Sequence, residues 1–343
     1  MTQIALPFET RRTAAAQPAA PARQGAPAGA AASAFDESGF RIGLDHARYG
    51  LTPPADHLHP AHPVREGWLR GRTLFAGRVL PARREARQWL ALRLDAWLRG
   101  RPFDELTVTP RLLARIDVMR CPVTREVLSR GDAGMDDAVV IAVCEAEGYT
   151  AGNLAVVSRR AAMARHWTAD DGPDPLQPAQ RQRLLSLLSL GTPLPHAQAA
   201  AVPLAVLPPL RLRLRNPVQA LQVLLTQVFA GPGWARRMAE LGALMPAATR
   251  RPYALYMSAL LARSLDVPAD ADADERAAAM EDAGPHPSVC ARWQALAAQI
   301  GPAEAQRIVR TAAQRGLWPR PCRWVEEEAD AAPAAGDTES LTR

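Results

Sequence analysis

Through most of the chain, large apolar side chains recur every three or four residues, which is the spacing of one face of an α-helix. Residues 83–99 show this pattern most clearly, and Gly100 ends it. The apolar positions of this stripe are Trp89, Leu90, Leu94, Trp97 and Leu98. We take the two tryptophans to be core residues. The pattern predicts a mainly α-helical protein.

Capping residues and prolines mark the starts of further helices. Thr109 with Pro110, and Asn216 with Pro217, each combine a good capping residue with a proline at the first helical position. Ser288 is a third candidate cap. The predicted helices begin at Pro110 and Pro217, run from Pro178 to Gly191, and cover 234–245, 252–265, 288–300 and 302–315. Residues 210–214 alternate leucine and arginine, which indicates either a short strand or a stiff link between helices.

Composition divides the chain into four segments. Residues 1–38 and 326–343 hold few large apolar side chains among their alanine, proline, glycine and acidic residues, so we predict both to be disordered. A cluster of proline, glycine and aspartate at 169–178 predicts a domain boundary. We therefore expect an N-terminal domain over 39–170 and a helical C-terminal domain over 171–325.

The net charge of +6 and the isoelectric point near 9.7 would ordinarily suggest a nucleic-acid partner. However, all 41 basic residues are arginine, and Asn153 and Asn216 are the only asparagines. The depleted amino acids have AT-rich codons, whereas the abundant alanine and arginine have GC-rich ones. Much of the arginine content therefore reflects genome composition, and we give the charge little weight as an indication of partners.

Several functional classes find no support in the sequence. The four cysteines are far apart and form no C-x-x-C pair, which argues against a zinc ribbon and a dense disulfide framework. We find no signal-peptide pattern and no run of 18 apolar residues, so we predict a cytoplasmic protein with no membrane partner. A Walker loop, a dinucleotide fingerprint and a G-x-S-x-G elbow are also missing, and we predict no cofactor.

Residues 119–165 break the helical pattern and contain the most distinctive motif of the chain. Residues 119–128 suit one arm of a hairpin, and 138–144 form a β-branched run suited to a buried strand. The turn Gly148-Tyr149-Thr150-Ala151-Gly152-Asn153-Leu154 follows, and then an arginine-rich helix that we expect to extend through Arg165. This order resembles the core of the HNH endonucleases over about 47 of the 343 residues.

The resemblance implies a ββα fold and a role for each motif residue. Tyr149 and Asn153 would be structural residues of the turn, with the asparagine orienting a catalytic histidine. In HNH enzymes an acidic residue and this histidine end the second strand, and a residue of the following helix helps to hold a divalent metal. The corresponding residues here are Ile141, Ala142 and Ala162, which can neither accept a proton nor bind a metal. We therefore predict no catalytic and no metal-binding residue.

Each residue of this segment also has a plainer interpretation. Asn153 is a good helix N-cap by type. Cys121 lacks a second cysteine at zinc-knuckle spacing, so we interpret Cys121 and Cys144 as small buried apolar residues. His166 would place a favourable charge at the C-terminus of the predicted helix.

Five arginines around the motif are candidate phosphate ligands. Arg159, Arg160 and Arg165 lie on the predicted helix, and Arg120 and Arg125 lie on the predicted hairpin arm, so that all five could converge into one patch. The alternative is a solvated helix face in an arginine-rich protein.

Three histidines, His57, His59 and His62, lie within six residues and could bind a transition metal. Because prolines flank them and the nearest acid, Asp56, precedes the run, a surface loop is the favoured interpretation.

These patterns predict a mainly α protein with a small HNH-like ββα element in its N-terminal half and a helical bundle in its C-terminal half. The predicted function is a non-catalytic module that binds DNA, RNA or a partner protein. The first alternative is a purely structural or interaction protein whose helical half carries the function. The second is a metal-dependent nuclease whose base and metal ligands come from elsewhere, such as the loop from His57 to His62.

Overall fold

The structure is a computed structural model that describes residues 28–131, 134–230, 233–268, 270–318 and 323–324. In this part of the chain the fold is mainly helical, as predicted, with two small sheets of two strands each. Contacts divide the chain into two compact units, one ending at Pro81 and the other beginning at Ala82. The predicted boundary at 169–178 falls inside the second unit, and the acidic tail 326–343 lies outside the described residues.

The first unit is built on two helices, α1 (Ala28–Arg48) and α2 (Pro63–Phe75). Helix α1 begins inside the segment 1–38 that composition predicts to be disordered, and residues 1–27 lie outside the described part. Alanine, which dominates the start of α1, has the highest helix propensity of all residues, so this stretch can be helical without large apolar side chains.

Glycines allow α1 and α2 to pack with their backbones close together. A Cβ atom on Gly43 would lie 1.9 Å from the carbonyl oxygen of Val64, and one on Gly67 would lie 1.9 Å from that of Phe40. No other residue fits at either position without separating the helices.

The second unit begins with two helices that the sequence predicts. Helix α3 (Arg84–Leu98) confirms the predicted helix, and both Trp89 and Trp97 are buried. Leu98, the last position of the predicted stripe, is instead 52% exposed. Helix α4 (Pro110–Ile116) begins after Thr109, whose Oγ1 accepts a hydrogen bond from the backbone N–H of Leu112 at 3.2 Å. This is the predicted cap followed by a proline at the first helical position.

A two-stranded antiparallel sheet follows, made of β1 (Ala138–Ala142) and β2 (Leu154–Ser158), and then the short helix α5 (Arg159–Ala164). Residues 119–128, predicted as the partner arm of β1, instead turn back on themselves through a bridge between Arg120 and Val127. The prediction of a helix directly after the turn is also wrong, because residues 154–158 form β2. This stretch is a fully buried strand, in which β-branched Val156 and Val157 fit well.

The rest of the second unit is helical. All six helices predicted here are present among the described residues, with ends that differ by a few residues, and α7 and α11 are additional. The elements are α6 (Pro178–Gly191), α7 (His196–Ala201), β3 (Arg213–Leu214), α8 (Pro217–Gln227), α9 (Trp234–Leu244), α10 (Arg250–Ser264), α11 (Ala273–Ala283), α12 (Pro287–Ala297), α13 (Pro302–Gln314) and β4 (Arg323–Trp324). Helix α8 is central, since every residue from Val218 to Gln227 is buried. Strand β3 pairs in parallel with β4, which confirms a short strand near 210–214.

Two predicted caps act differently from expectation. Ser288 is not the cap of α12, because His286 occupies that position and its Nδ1 accepts from the N–H of Ser288. Asn216 precedes α8, but its side chain makes no capping hydrogen bond. Its amide instead donates to the carbonyl of Thr192 at 2.9 Å and accepts from the N–H of Leu194 at 2.9 Å, which ties the end of α6 to the start of α8.

Candidate functional site

The turn between β1 and β2 is held together by the side chain of Asn153, which is 2% exposed. Its Nδ2 donates to the carbonyls of Cys144 at 2.8 Å and Gly148 at 2.7 Å, and its Oδ1 accepts from the N–H of Cys144 at 2.8 Å. Because β2 follows it, Asn153 is not a helix N-cap. It is a clamp that closes the loop from residue 144 to residue 153.

Tyr149 and Gly148 fix this loop against the segment that follows α3. The N–H of Tyr149 donates to the carbonyl of Pro102 at 2.9 Å, and its hydroxyl donates to Asp95 at 3.2 Å. Burial, and then the neighbouring Asp95 carboxylate, raise the pKa of this hydroxyl above its ordinary value. Gly148 has a φ of 62°, and a Cβ there would lie 2.2 Å from the Pro102 carbonyl oxygen, so the turn requires glycine.

A groove of about 740 Å³ lies between α3, β1 and α5, and we call it the β1 groove. Its middle is lined by apolar side chains of the three elements, whereas charged side chains lie towards both ends of β1. The apolar lining includes Leu92, Val139, Ile141, Ala162 and Met163. The three positions that the HNH resemblance assigns to catalysis, Ile141, Ala142 and Ala162, all line this groove.

A cluster of basic side chains surrounds Glu145 beyond the C-terminal end of β1. The Oε1 atom of Glu145 lies 3.3 Å from His166 Nε2, 3.6 Å from Arg165 Nε and 3.8 Å from an Arg101 guanidinium nitrogen. Arg99, which pairs with Asp95 at 2.7 Å, adds a fourth basic side chain to the groove. The side chains of Arg99 and His166 are 59% and 63% exposed, so both can reach a ligand.

Arg165 acts mainly inside the protein. Its guanidinium donates to the carbonyl of Ala142, and to that of Val143 at 2.9 Å, so it covers the end of β1. Burial lowers the pKa of this guanidinium from its ordinary value, with the nearby Glu145 opposing the shift. A guanidinium carries five N–H donors and keeps its positive charge. Arg165 can therefore fix the end of β1 with some of these donors and still contribute its charge to the groove.

At the opposite end of β1, Arg159 pairs with Asp137 at 2.9 Å. Although burial raises it, hydrogen bonds from the Gly131 N–H and from Arg159 hold the pKa of Asp137 below its ordinary value. Asp137 is therefore a stable anion, and it offsets the charge of Arg159 at this end of the groove.

The structure brings two of the five predicted phosphate ligands, Arg159 and Arg165, into the β1 groove, and the other three do not line it. Arg160 pairs with Glu126 at 3.3 Å, and Arg120 donates to the carbonyl of Arg125 at 3.3 Å. Arg125 itself pairs with Asp282 and Glu281 of α11 at 2.7 and 3.1 Å.

Three further basic side chains line the groove although the sequence does not predict them as ligands, namely Arg99, Arg101 and His166. Arg99 and Arg101 flank Gly100, which ends the apolar stripe of α3. The end of this helix is the one local sequence signal next to these two arginines. His166 lies two residues beyond the end of α5 rather than on its last turn.

The two cysteines of the motif are buried, as interpreted from the sequence. The sulfur of Cys121 accepts hydrogen bonds from the N–H groups of Thr124 at 3.4 Å and Ser158 at 3.2 Å. Cys121 therefore joins the small turn of residues 119–128 to the end of β2.

The three histidines of the first unit lie close together. The ring of His62 is 5.2 Å from that of His57 and 4.7 Å from that of His59, measured between centroids. His62 Nδ1 accepts from the N–H of Val64 and so caps α2. Burial, followed by the charges of His59 and His57, lowers the pKa of His62 from its ordinary value. Within the described ranges, no group of three or more His, Cys, Asp or Glu side chains is arranged to hold a metal ion.

Comparisons with known proteins assign no family, since no family model, no curated protein and no solved structure matches the chain. Among the helices that the structure describes, none combines the length and the apolar character needed to cross a bilayer.

Proposed function

We propose that this chain is a non-catalytic nucleic-acid-binding protein, whose β1 groove is the remnant of an HNH-like ββα site. The observation that carries the proposal is the composition of the groove. The positions where an HNH nuclease needs an acid, a base and a metal ligand hold Ile141, Ala142 and Ala162, yet the groove around them keeps its cations. These cations are Arg99, Arg101, Arg159 and Arg165, and His166 lines the groove with them.

Charge and exposure favour phosphate as the group that is bound. The four arginines of the groove face three carboxylates, Asp95, Asp137 and Glu145, so a positive potential remains. Arginine presents a planar fork of donors that matches a phosphate, and contacts to phosphates supply most of the affinity in sequence-independent binding. Arg99 and Arg101 are the best placed for this role, because no backbone carbonyl of the described residues holds either guanidinium in the way that Arg165 is held.

A protein-interaction function is the second candidate, and one observation favours it. Arg125 and Arg183 both pair with Asp282 of α11, at 2.7 and 3.1 Å, and Arg183 also donates to the carbonyl of Val123. Arginines here hold the turn of residues 119–128 against the helical part. If most arginines hold parts of the chain together in this way, the protein acts as a scaffold. The Arg99→Ala/Arg101→Ala variant would then leave its function unchanged.

Binding of labelled oligonucleotides, measured by fluorescence anisotropy over a range of salt concentrations, tests the proposal. The Arg99→Ala/Arg101→Ala double variant should bind more weakly than wild type. If both arginines contact phosphates, the slope of log affinity against log salt should flatten by about 1.4 for single strands and about 1.8 for duplexes.

The matched control is Arg250→Ala/Arg251→Ala, which removes the same charge from two exposed positions at the start of α10. It should retain the wild-type slope. The proposal fails if wild type binds neither kind of oligonucleotide, or if the two double variants weaken binding equally.

A further inference from the structure

We infer that the β1 groove takes a short single-stranded segment of nucleic acid, with its bases against the apolar middle and a phosphate at the Arg99–Arg101 end. This inference rests on the proposed function and names the substrate class of the same site. Three observations carry it, namely the size of the groove, its apolar lining and the position of its charges.

The size of the groove excludes a duplex from its interior. Its volume of about 740 Å³ is that of a pocket enclosing a small organic ligand, for which roughly 300–1,000 Å³ is typical. Helices α3 and α5 wall it, and β1 is five residues long, or roughly 13 Å from its first to its last Cα. A few unpaired nucleotides fit such a space, whereas a double helix could only rest on its rim.

The lining suits the flat faces of unpaired bases. Leu92, Val139 and Met163 offer apolar surface between the two charged ends, and Met163 is 58% exposed although its side chain is apolar. Bases that have left a duplex pack against apolar and aromatic side chains, and a thioether makes favourable contacts with aromatic rings. In a duplex the faces of the bases are already stacked on one another, so they are not free to pack against the apolar lining of the groove.

The charges are placed for a single strand that enters at one end. Arg99, Arg101 and His166 lie beyond the C-terminal end of β1, where Glu145 now shares its Oε1 atom with Arg101, Arg165 and His166. A bound phosphate would take the place of this carboxylate as the partner of Arg101 and His166. Glu145 therefore competes with the ligand, and its removal should strengthen binding.

The experiment compares four labelled probes of equal length with the full chain: a single-stranded DNA, the same strand in a duplex, an abasic strand and a single-stranded RNA. Single strands should bind about tenfold more tightly than the duplex and the abasic strand. Glu145→Gln should raise the affinity for single strands several-fold, while Met163→Glu should lower it about tenfold. Both substitutions change exposed or half-exposed side chains, so folding should be kept, and circular dichroism checks this.

Equal or tighter binding of the duplex, or of the abasic strand, would overturn the inference. If that binding still required Arg99 and Arg101, the proposed function would stand and only the substrate class would be wrong. If no probe bound, the proposed function itself would fail.

Discussion

At the scale of single residues, the two asparagines of the chain have the same task. Asn153 clamps the loop between β1 and β2, and Asn216 ties the end of α6 to the start of α8. In both cases one short side chain donates to backbone carbonyls and accepts from a backbone N–H. Aspartate lacks the donor and alanine lacks both groups, so neither could replace asparagine at these two positions.

Replacing Asn153 should therefore destabilise the protein strongly. Asn153→Ala leaves the N–H of Cys144 and two carbonyls without their buried partner, at a cost of about 2–4 kcal/mol in the free energy of unfolding. Asn153→Asp should be no better, because its carboxylate would face the carbonyl oxygens of Cys144 and Gly148. Urea denaturation measures both variants. Thr150→Ala, in the same turn, is the control, and an equal loss of stability in Thr150→Ala and Asn153→Ala would contradict the assigned role.

At the scale of secondary-structure elements, local signals predict the helices and miss what depends on distant partners. The prolines that begin α6 and α13 and the glycine that ends α6 lie in the helices themselves, so the sequence alone locates these helices. The sequence does not predict helix α2, because glycines occupy the face that contacts α1. Such close packing of backbones leaves no periodic apolar signal in the sequence. The sequence does not predict strand β2 either, because a short apolar run fits a buried helix and a buried strand equally well until its pairing partner is known.

The glycine contact between α1 and α2 should be intolerant of even one methyl group. In Gly67→Ala the new Cβ would lie 1.9 Å from the Phe40 carbonyl oxygen, so the helices must separate. We expect a loss of stability in the first unit of about 1–3 kcal/mol, seen as faster hydrogen exchange in peptides from α1 and α2. Arg70→Ala, on the exposed side of α2, should leave exchange unchanged. Exchange as slow in Gly67→Ala as in wild type would rule out this packing.

At the scale of the whole molecule, the candidate site combines residues that are distant in the chain. Arg99 and Arg101 follow α3, whereas Arg165 and His166 follow α5, more than sixty residues later. The sequence locates the turn of residues 148–154, because its glycines and asparagine act within a few residues. It cannot locate the cations of the groove, since only tertiary packing brings α3 beside β1. Arg125 and Arg160 illustrate the converse, because proximity in sequence placed them in one predicted patch, although Arg125 pairs with Asp282 and Arg160 pairs with Glu126.

The last prediction concerns catalysis by the whole protein, which we expect to leave supercoiled plasmid intact in the presence of Mg²⁺, Mn²⁺ or Zn²⁺. Hydrolysis of a phosphodiester needs a base that activates water and a group that stabilises the developing charge. Ile141, Ala142 and Ala162 supply neither in the β1 groove. The imidazole of His166 also lines the groove, and its Nε2 lies 3.3 Å from Glu145. Nicking by wild type that disappears in His166→Ala but persists in Arg250→Ala/Arg251→Ala would show that a base lies just beyond α5, and would replace the binding protein proposed above with an enzyme.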